Sequence, residues 1–256
     1  MRRHVLLCVE GPHDEAVLGR LLRHAQLSRV RDLDGLADTS WGDLVPRSFP
    51  VKDLVARHPV PAFYSSERAT VAILFGAGSG WPAQLGDSLQ LLRKPVDAVG
   101  VLVDADQAPT ASLQKASAEL QRMKLAPGAH GEVVVGANGS ADCGIYVVPG
   151  GGVSGTMEDV LLAAGERVYG KALRAAQGLV DEALTGALDI PSAEQKELRA
   201  PLGKKKSSLA ITSSLLKPGK AIQNSISDNR WISGALDEPL VAALNGFLAS
   251  LLRTAD

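Results

Sequence analysis

The sequence predicts an α/β protein with a mostly parallel sheet of about four strands flanked by helices, followed by a helical C-terminal extension. Two observations predict it. Four short apolar runs, HVLLCV, TVAILF, AVGVLV and GIYVV, recur between residues 4 and 148, and such runs suit strands buried on both faces. Helical periodicity fills much of the chain between them, which argues for βαβ units. Right-handed crossovers would then set the C-terminal ends of these strands along one edge of the sheet.

Residues 4–9 (HVLLCV) are the first strand, and the polar turn Glu10-Gly11-Pro12-His13-Asp14 follows it. EAVLGRLLRHAQL then places Val17, Leu18, Leu21, Leu22 and Ala25 at helical spacing. Residues 30–69 hold Trp41 and several prolines without a sustained period, and read as an insertion with one or two short strands. Residues 70–75 (TVAILF) are the second strand, ended by Gly76, Gly78 and Gly80. That GAGSG run lacks the lysine of a nucleotide-binding loop and is expected to be a turn. Residues 83–92 read as helix, 98–103 (AVGVLV) as the third strand, and 110–123 as a helix with Thr110 as its N-cap. Residues 144–148 (GIYVV) are the fourth strand, ended by Pro149 and three glycines, and 156–164 open another helix.

From about residue 166 the chain is expected to be helical, most clearly in ERVYGKALRAAQGLVDEAL and EPLVAALNGFLASLL. Between these pieces, residues 199–227 carry Arg199, Lys204, Lys205, Lys206, Lys217 and Lys220 and no acid. The expected organisation is an α/β core over 1–165 and a helical extension over 166–256 with a basic segment at 199–220.

Composition narrows the function classes. The chain has 256 residues, 45% apolar and 21% charged, with a formal net charge of −1. That suffices for a substantial core and does not suggest disorder. Any nucleic-acid-binding surface must be local, because the overall charge is not basic. Two cysteines, Cys8 and Cys143, lie in apolar runs and are expected to be buried free thiols. The apolar run after the basic N-terminus is too short for a signal peptide, and no stretch reaches membrane-spanning length. A cytoplasmic protein is expected. His4, His24, His58 and His130 show no ligand spacing, so a zinc enzyme is not indicated.

The acids carry the chemistry. Glu10 and Asp14 follow the first strand, Asp104 and Asp106 the third, and Glu158 with Asp159 the fourth. Any one of these could be a cap or turn residue. Together, five carboxylates (Glu10, Asp14, Asp104, Asp106 and Glu158) on one edge would repel strongly, and a divalent cation relieves such repulsion. Mg²⁺ takes hard oxygen ligands from a few carboxylates and substrate phosphate. Gly11, Ala105 and Gly155 leave room for a substrate to approach.

An apolar strand ending in Glu-Gly with Asp four residues after the Glu, then a strand ending in Asp-x-Asp, resembles the Toprim domain of topoisomerases, primases and nucleases. GTMED is similar to the Gly-x-x-Glu of the nuclease branch, which includes the overcoming-lysogenization-defect nucleases. The likeness covers roughly residues 4–165 apart from the insertion, and extends to small stand-alone Toprim-like proteins. It implies a Toprim/Rossmann-like fold and Mg²⁺-dependent phosphodiester hydrolysis on DNA or RNA, with Mn²⁺ able to substitute. It implies Glu10 as general acid/base and Asp104 and Asp106 as Mg²⁺ ligands, with Asp14 and Glu158 available to a second ion. A lysine near the metals would stabilise transition-state charge. Lys204, Lys205, Lys206, Lys217 and Lys220 are the candidates for phosphate contact, with Lys205 the catalytic candidate. The basic stretch could equally be a solvated loop.

The sequence departs from the family in places. Tyr64, Tyr146 and Tyr169 lie in no recognisable nucleophile context, and Tyr146 is expected in the core. No GxxxxGK[ST] loop is present, so an ATPase partner would be a separate chain. Trp231 could stack on a base or anchor the C-terminal helices. Two rival readings remain: a non-catalytic nucleic-acid-binding or subunit-interaction module, and a haloacid-dehalogenase-like phosphatase with Asp104 as nucleophile. Gln107-Ala108 after Asp106 argues against the second.

Overall fold

The computed structural model describes residues 2–46, 60–76 and 78–253. Four parallel strands form the centre: β1 (Arg3–Val9), β4 (Ala69–Phe75), β5 (Ala98–Asp104) and β7 (Asp142–Val148). β1 pairs with β4 on one side and β5 on the other, and β5 pairs with β7. These are the four apolar runs of the sequence. The sheet is nonetheless larger than the expected four strands, and mixed. β2 (Ser28–Arg29) and β3 (Ala62–Ser65) add antiparallel to the β4 side, and β6 (Val133–Val134) adds antiparallel to β7. The seven-stranded order is β2-β3-β4-β1-β5-β7-β6. β3 is a short strand of the kind expected in the 30–69 insertion, whereas β2 and β6, of two residues each, are too short to show a period.

Alternation along the strands builds two cores. Val5, Leu7, Val71, Ile73 and Tyr146 face one side, while Leu6, Cys8, Ala72, Leu74 and Ile145 face the other. On the first side lie α1 (Pro12–His24), α4 (Met157–Thr185) and α7 (Pro239–Leu252). On the second lie α2 (Trp81–Leu91) and α3 (Pro109–Arg122), together with a short 3-10 turn at Trp41–Leu44. The C-terminal residues Leu244, Phe247, Leu248 and Leu251 are part of the first core. Residues beyond 166 therefore pack directly on the sheet.

This layering sets the site. The chain leaves β1 through α1 on one face and leaves β5 through α3 on the other. Adjacent strands whose connections diverge in this way open a crevice at their C-terminal ends, where α/β sheets bind ligands. Glu10 and Asp104 stand on its two sides.

Other expectations resolve as follows. Thr110 is not the cap of α3: Ala108 occupies that position and Pro109 begins the helix, where its missing N–H costs nothing. The two pieces expected at 156–164 and 166–184 are one helix, α4, with a non-helical residue at Tyr169. The basic stretch is helical in part: Lys204, Lys205 and Lys206 lie on α5 (Gly203–Leu216), which α6 (Ile222–Asp228) follows, while Arg199, Lys217 and Lys220 lie in the turns beside them. The buried side of α5 includes Ser208, Thr212 and Ser213, so no apolar stripe announces it. The Ser208 and Thr212 hydroxyls donate to the carbonyls of Lys204 and Ser208, at 2.9 and 2.8 Å, which lets them be buried. Cys8 and Cys143 are buried and free. Tyr146 and Trp231 are core residues, and the Trp231 indole donates to Ser225 Oγ at 3.0 Å. The insertion supplies β3, while its residues 47–59, including His58, lie outside the described residues, as does Ala77 of the glycine run. Among the described residues no helix is long and apolar enough to cross a membrane.

Candidate active site

Glu10 is the first residue past β1. Its Oε1 accepts the backbone N–H of Asp104 at 3.3 Å, bridging the crevice. Asp14 lies in the first turn of α1 and is buried. Its Oδ2 accepts the N–H of Gly11 at 2.7 Å, closing the turn that carries Glu10. Asp104 ends β5, and its Oδ1 accepts the N–H of Met157, the first residue of α4, at 3.0 Å. Glu158 is buried one position further on, with Oε2 taking the Thr156 hydroxyl at 2.8 Å and Oε1 3.6 Å from His13 Nδ1. Three separate chain segments thus bring four carboxylates to one place.

The four do not titrate alike. Burial, then the charges of Asp14, Glu10 and Glu158, push Asp104 up to about 8. Burial, with Glu10 and Glu158 adding to it, pushes Asp14 up to about 7. Burial also raises Glu10, against the opposing pull of its bond from Asp104 and of the Lys115 ammonium. Burial works on Glu158 in the same direction, but its bonds from His13, Thr156 and the helix backbone outweigh it and hold the group at about 2. Glu158 is therefore the most acidic of the four, while burial, followed by the neighbouring carboxylates, favours the protonated forms of Asp104 and Asp14.

Asp106 is placed differently. It is exposed, at a left-handed φ of 48°. Its backbone exchanges hydrogen bonds of 2.9 and 2.8 Å with Gly155, which ties the loop after β5 to the loop after β7. Its carboxylate stands at the rim, close enough to raise Glu10. Beside it opens a cleft of about 710 Å³ lined by Asp106, Gln107, Gly155, Thr156, Lys205 and Lys206.

The five candidate lysines separate. Lys205 Nζ is 2.7 Å from Asp159 Oδ1, and Asp159 itself caps α4 by accepting the N–H of Thr156 at 2.9 Å. Lys206 is exposed on the same cleft, and its charge reaches Glu158. Lys204 pairs with Asp181 at 2.6 Å, away from the acids. Lys217 pairs with Asp228, and Lys220 is exposed. Lys115 on α3 and Thr156 were not singled out by sequence. No motif marks either, and both reach the site only because their helices begin at this edge of the sheet.

Among the described residues, no group of three or more His, Cys, Asp or Glu side chains is placed to hold a metal ion. The donors nonetheless suit Mg²⁺, which keeps several waters and needs only a few protein carboxylates beside substrate phosphate. The protons held by Asp104 and Asp14 are the charge compensation that a divalent ion would replace.

No curated protein matches the chain. A crystal structure of hypothetical protein PH0156 from Pyrococcus horikoshii OT3 is similar at a TM-score of 0.49 and 17% identity, over 97% of this chain and 95% of that one. Residues 4–253 match the model of the family described as Protein of unknown function (DUF3226), and the chain belongs to that family.

Proposed function

We propose that this protein hydrolyses phosphodiester bonds of DNA or RNA with Mg²⁺, Mn²⁺ being able to substitute. One observation carries the reading: Glu10, Asp14, Asp104 and Glu158 meet at the C-terminal ends of the central parallel strands of the sheet, where burial and then the three neighbouring carboxylates raise Asp104 to about 8. A purely structural turn has no need of four partly buried acids. The order of motifs resembling the Toprim domain supports the same chemistry.

Asp104, Glu158 and Asp14 would hold the ion, with Glu10 and Asp106 at its margin. Bound there, Mg²⁺ would supply positive charge that offsets the carboxylates and the phosphate. The chain's own residues do the rest. Glu10, raised by burial, accepts the proton of the attacking water as its oxygen bonds to phosphorus, and the leaving ester oxygen takes a proton from solvent to depart as a hydroxyl. Lys206, on the open side of the cleft, faces the charge that develops on the phosphate. Lys205, tied to Asp159, positions the N-terminal end of α5 against α4.

The test is calorimetric titration of Mg²⁺ and Mn²⁺ into wild type and Asp104→Ala, with cleavage of circular and single-stranded nucleic acid followed in parallel. Metal binding and cleavage lost together in the variant are expected. Unchanged metal binding by the variant would remove Asp104 from the site and sink the reading.

A further inference from the structure

We infer that a second, arginine-lined cleft holds the phosphate backbone of the nucleic acid upstream or downstream of the bond that is cut, an inference that rests on the proposed activity. Arg23, Arg29 and Arg31 line one cleft of about 420 Å³ between the end of α1, the edge strand β2 and the end of α6. In a chain with a net charge of −1, three guanidinium groups on one concave surface are a local excess of positive charge. The acid that lines the cleft, Asp228, is already paired with Lys217. Among the described residues, Arg29 alone of the three touches a carboxylate, Glu15 at 3.6 Å.

Two of the three arginines, Arg23 and Arg29, are held in place. Arg23 donates to the carbonyls of Gly19 and Ser227, at 3.3 and 2.6 Å. Arg29 sits over the Tyr64 ring, 5.9 Å from its centroid. Both contacts leave guanidinium N–H groups to spare, and a planar fork of donors matches phosphate oxygens in pairs. Such a surface recognises a row of phosphates without reading bases.

Position selects the nucleic acid over a small phosphate compound. β2 lies four strand positions from β5, which carries Asp104, in the sheet order, a lateral offset of about 19 Å at the usual strand spacing, and Arg23 lies nine residues along α1 from Asp14, a further offset of about 14 Å along the helix. Together these make about 24 Å, or about seven phosphates of a strand along its axis. Glu15, which steadies Arg29, follows Asp14 directly in α1. A strand whose reacting phosphate lies at Asp104 can therefore run beside α1 into the arginine cleft.

The experiment compares labelled single strands of about 3 and about 20 nucleotides, binding wild type, Arg29→Ala/Arg31→Ala and Arg29→Glu/Arg31→Glu in EDTA. Circular dichroism checks that each variant is folded. The expected result is about a tenfold loss for the long strand in the alanine variant, a larger loss on charge reversal, and a salt slope shallower by about 1.4. The ratio of long-strand to short-strand affinity should fall with it. Wild-type affinity and slope in folded variants, or no long-strand binding by wild type, would overturn the cleft. The two proposals fail separately. Cleavage by wild type with unchanged binding by the variants removes the cleft and keeps the nuclease. Weakened binding by the variants, with no cleavage by wild type in Mg²⁺, keeps the cleft and removes the nuclease.

Discussion

Asp104 accepts the backbone N–H of Met157 at 3.0 Å, so the last residue of one central strand caps the first turn of α4. A helix N-terminus favours a negative charge beside it, and this bond pulls the Asp104 pKa down. Burial and three neighbouring carboxylates still push the group up to about 8. The site thus combines an attraction for negative charge with more acid than it can ionise, a repulsion that the proposed cation would relieve.

Stability without metal should fall as pH rises. Asp104 at about 8 and Asp14 at about 7 both start from an ordinary value of 3.8. Between those limits the folded chain binds more protons than the unfolded one, so each rise in pH costs stability. The contribution is complete below about pH 4 and gone above about pH 8. In EDTA, the thermal midpoint should drop progressively between pH 5 and 9. Asp104→Asn, which cannot ionise, should flatten most of that slope. Glu158, held at about 2, acts with the opposite sign, and its contribution is lost only as pH falls from 4.5 toward that value.

Mg²⁺ should protect more at high pH than at low. The ion competes with the protons on Asp104 and Asp14, so the midpoint shift on adding Mg²⁺ is expected to be larger at pH 8 than at pH 6. At an ion concentration 100 times Kd the gain would be about 2.7 kcal/mol. Differential scanning fluorimetry of wild type and Glu158→Gln reads this directly, and the variant should lose most of the shift. Equal shifts in both proteins would exclude Glu158 as a ligand.

Two adjacent lysines should separate in kinetics. Lys206→Ala is expected to lower kcat by about a hundredfold with little change in the midpoint, as for removal of a group that meets developing charge. Lys205→Ala loses a half-exposed ion pair with Asp159, which is worth about 0–1 kcal/mol. Its activity should fall less than that of Lys206→Ala. Lys204→Ala, whose partner Asp181 is remote from the acids, serves as the reference. A larger kinetic loss at Lys205 than at Lys206 would reverse the assignment.

Packing beneath the site is testable at two glycines of α4. A methyl group at Gly165 would stand 2.6 Å from Cζ3 of Trp231, which is fully buried. Gly165→Ala should therefore destabilise by about 1–3 kcal/mol. At Gly178 a methyl group meets nothing within 4 Å, and Gly178→Ala should stabilise by about 0.4–1 kcal/mol. Urea denaturation of the two variants checks both signs.

By itself the sequence determined the four central strands, most of the helices that cross over between them, and the acids that follow them. These features are local: a continuous apolar run or a helical stripe records burial residue by residue. Glu10, Asp14, Asp104 and Glu158 were legible for the same reason, as polar residues immediately past such elements. Only the tertiary structure decided the rest. It made the sheet seven-stranded and mixed, because β2, β3 and β6 are held by pairing to a neighbour and not by any pattern of their own. It turned residues 203–216 into a helix, because hydroxyls that bond back to the helix backbone could take the buried positions. It also divided the lysines, since Asp159 and Asp181, which claim Lys205 and Lys204, are distant in sequence. It decided as well which acids share a charge, because a pKa depends on the burial and neighbours of a group in space, and those exist only once the chain has folded.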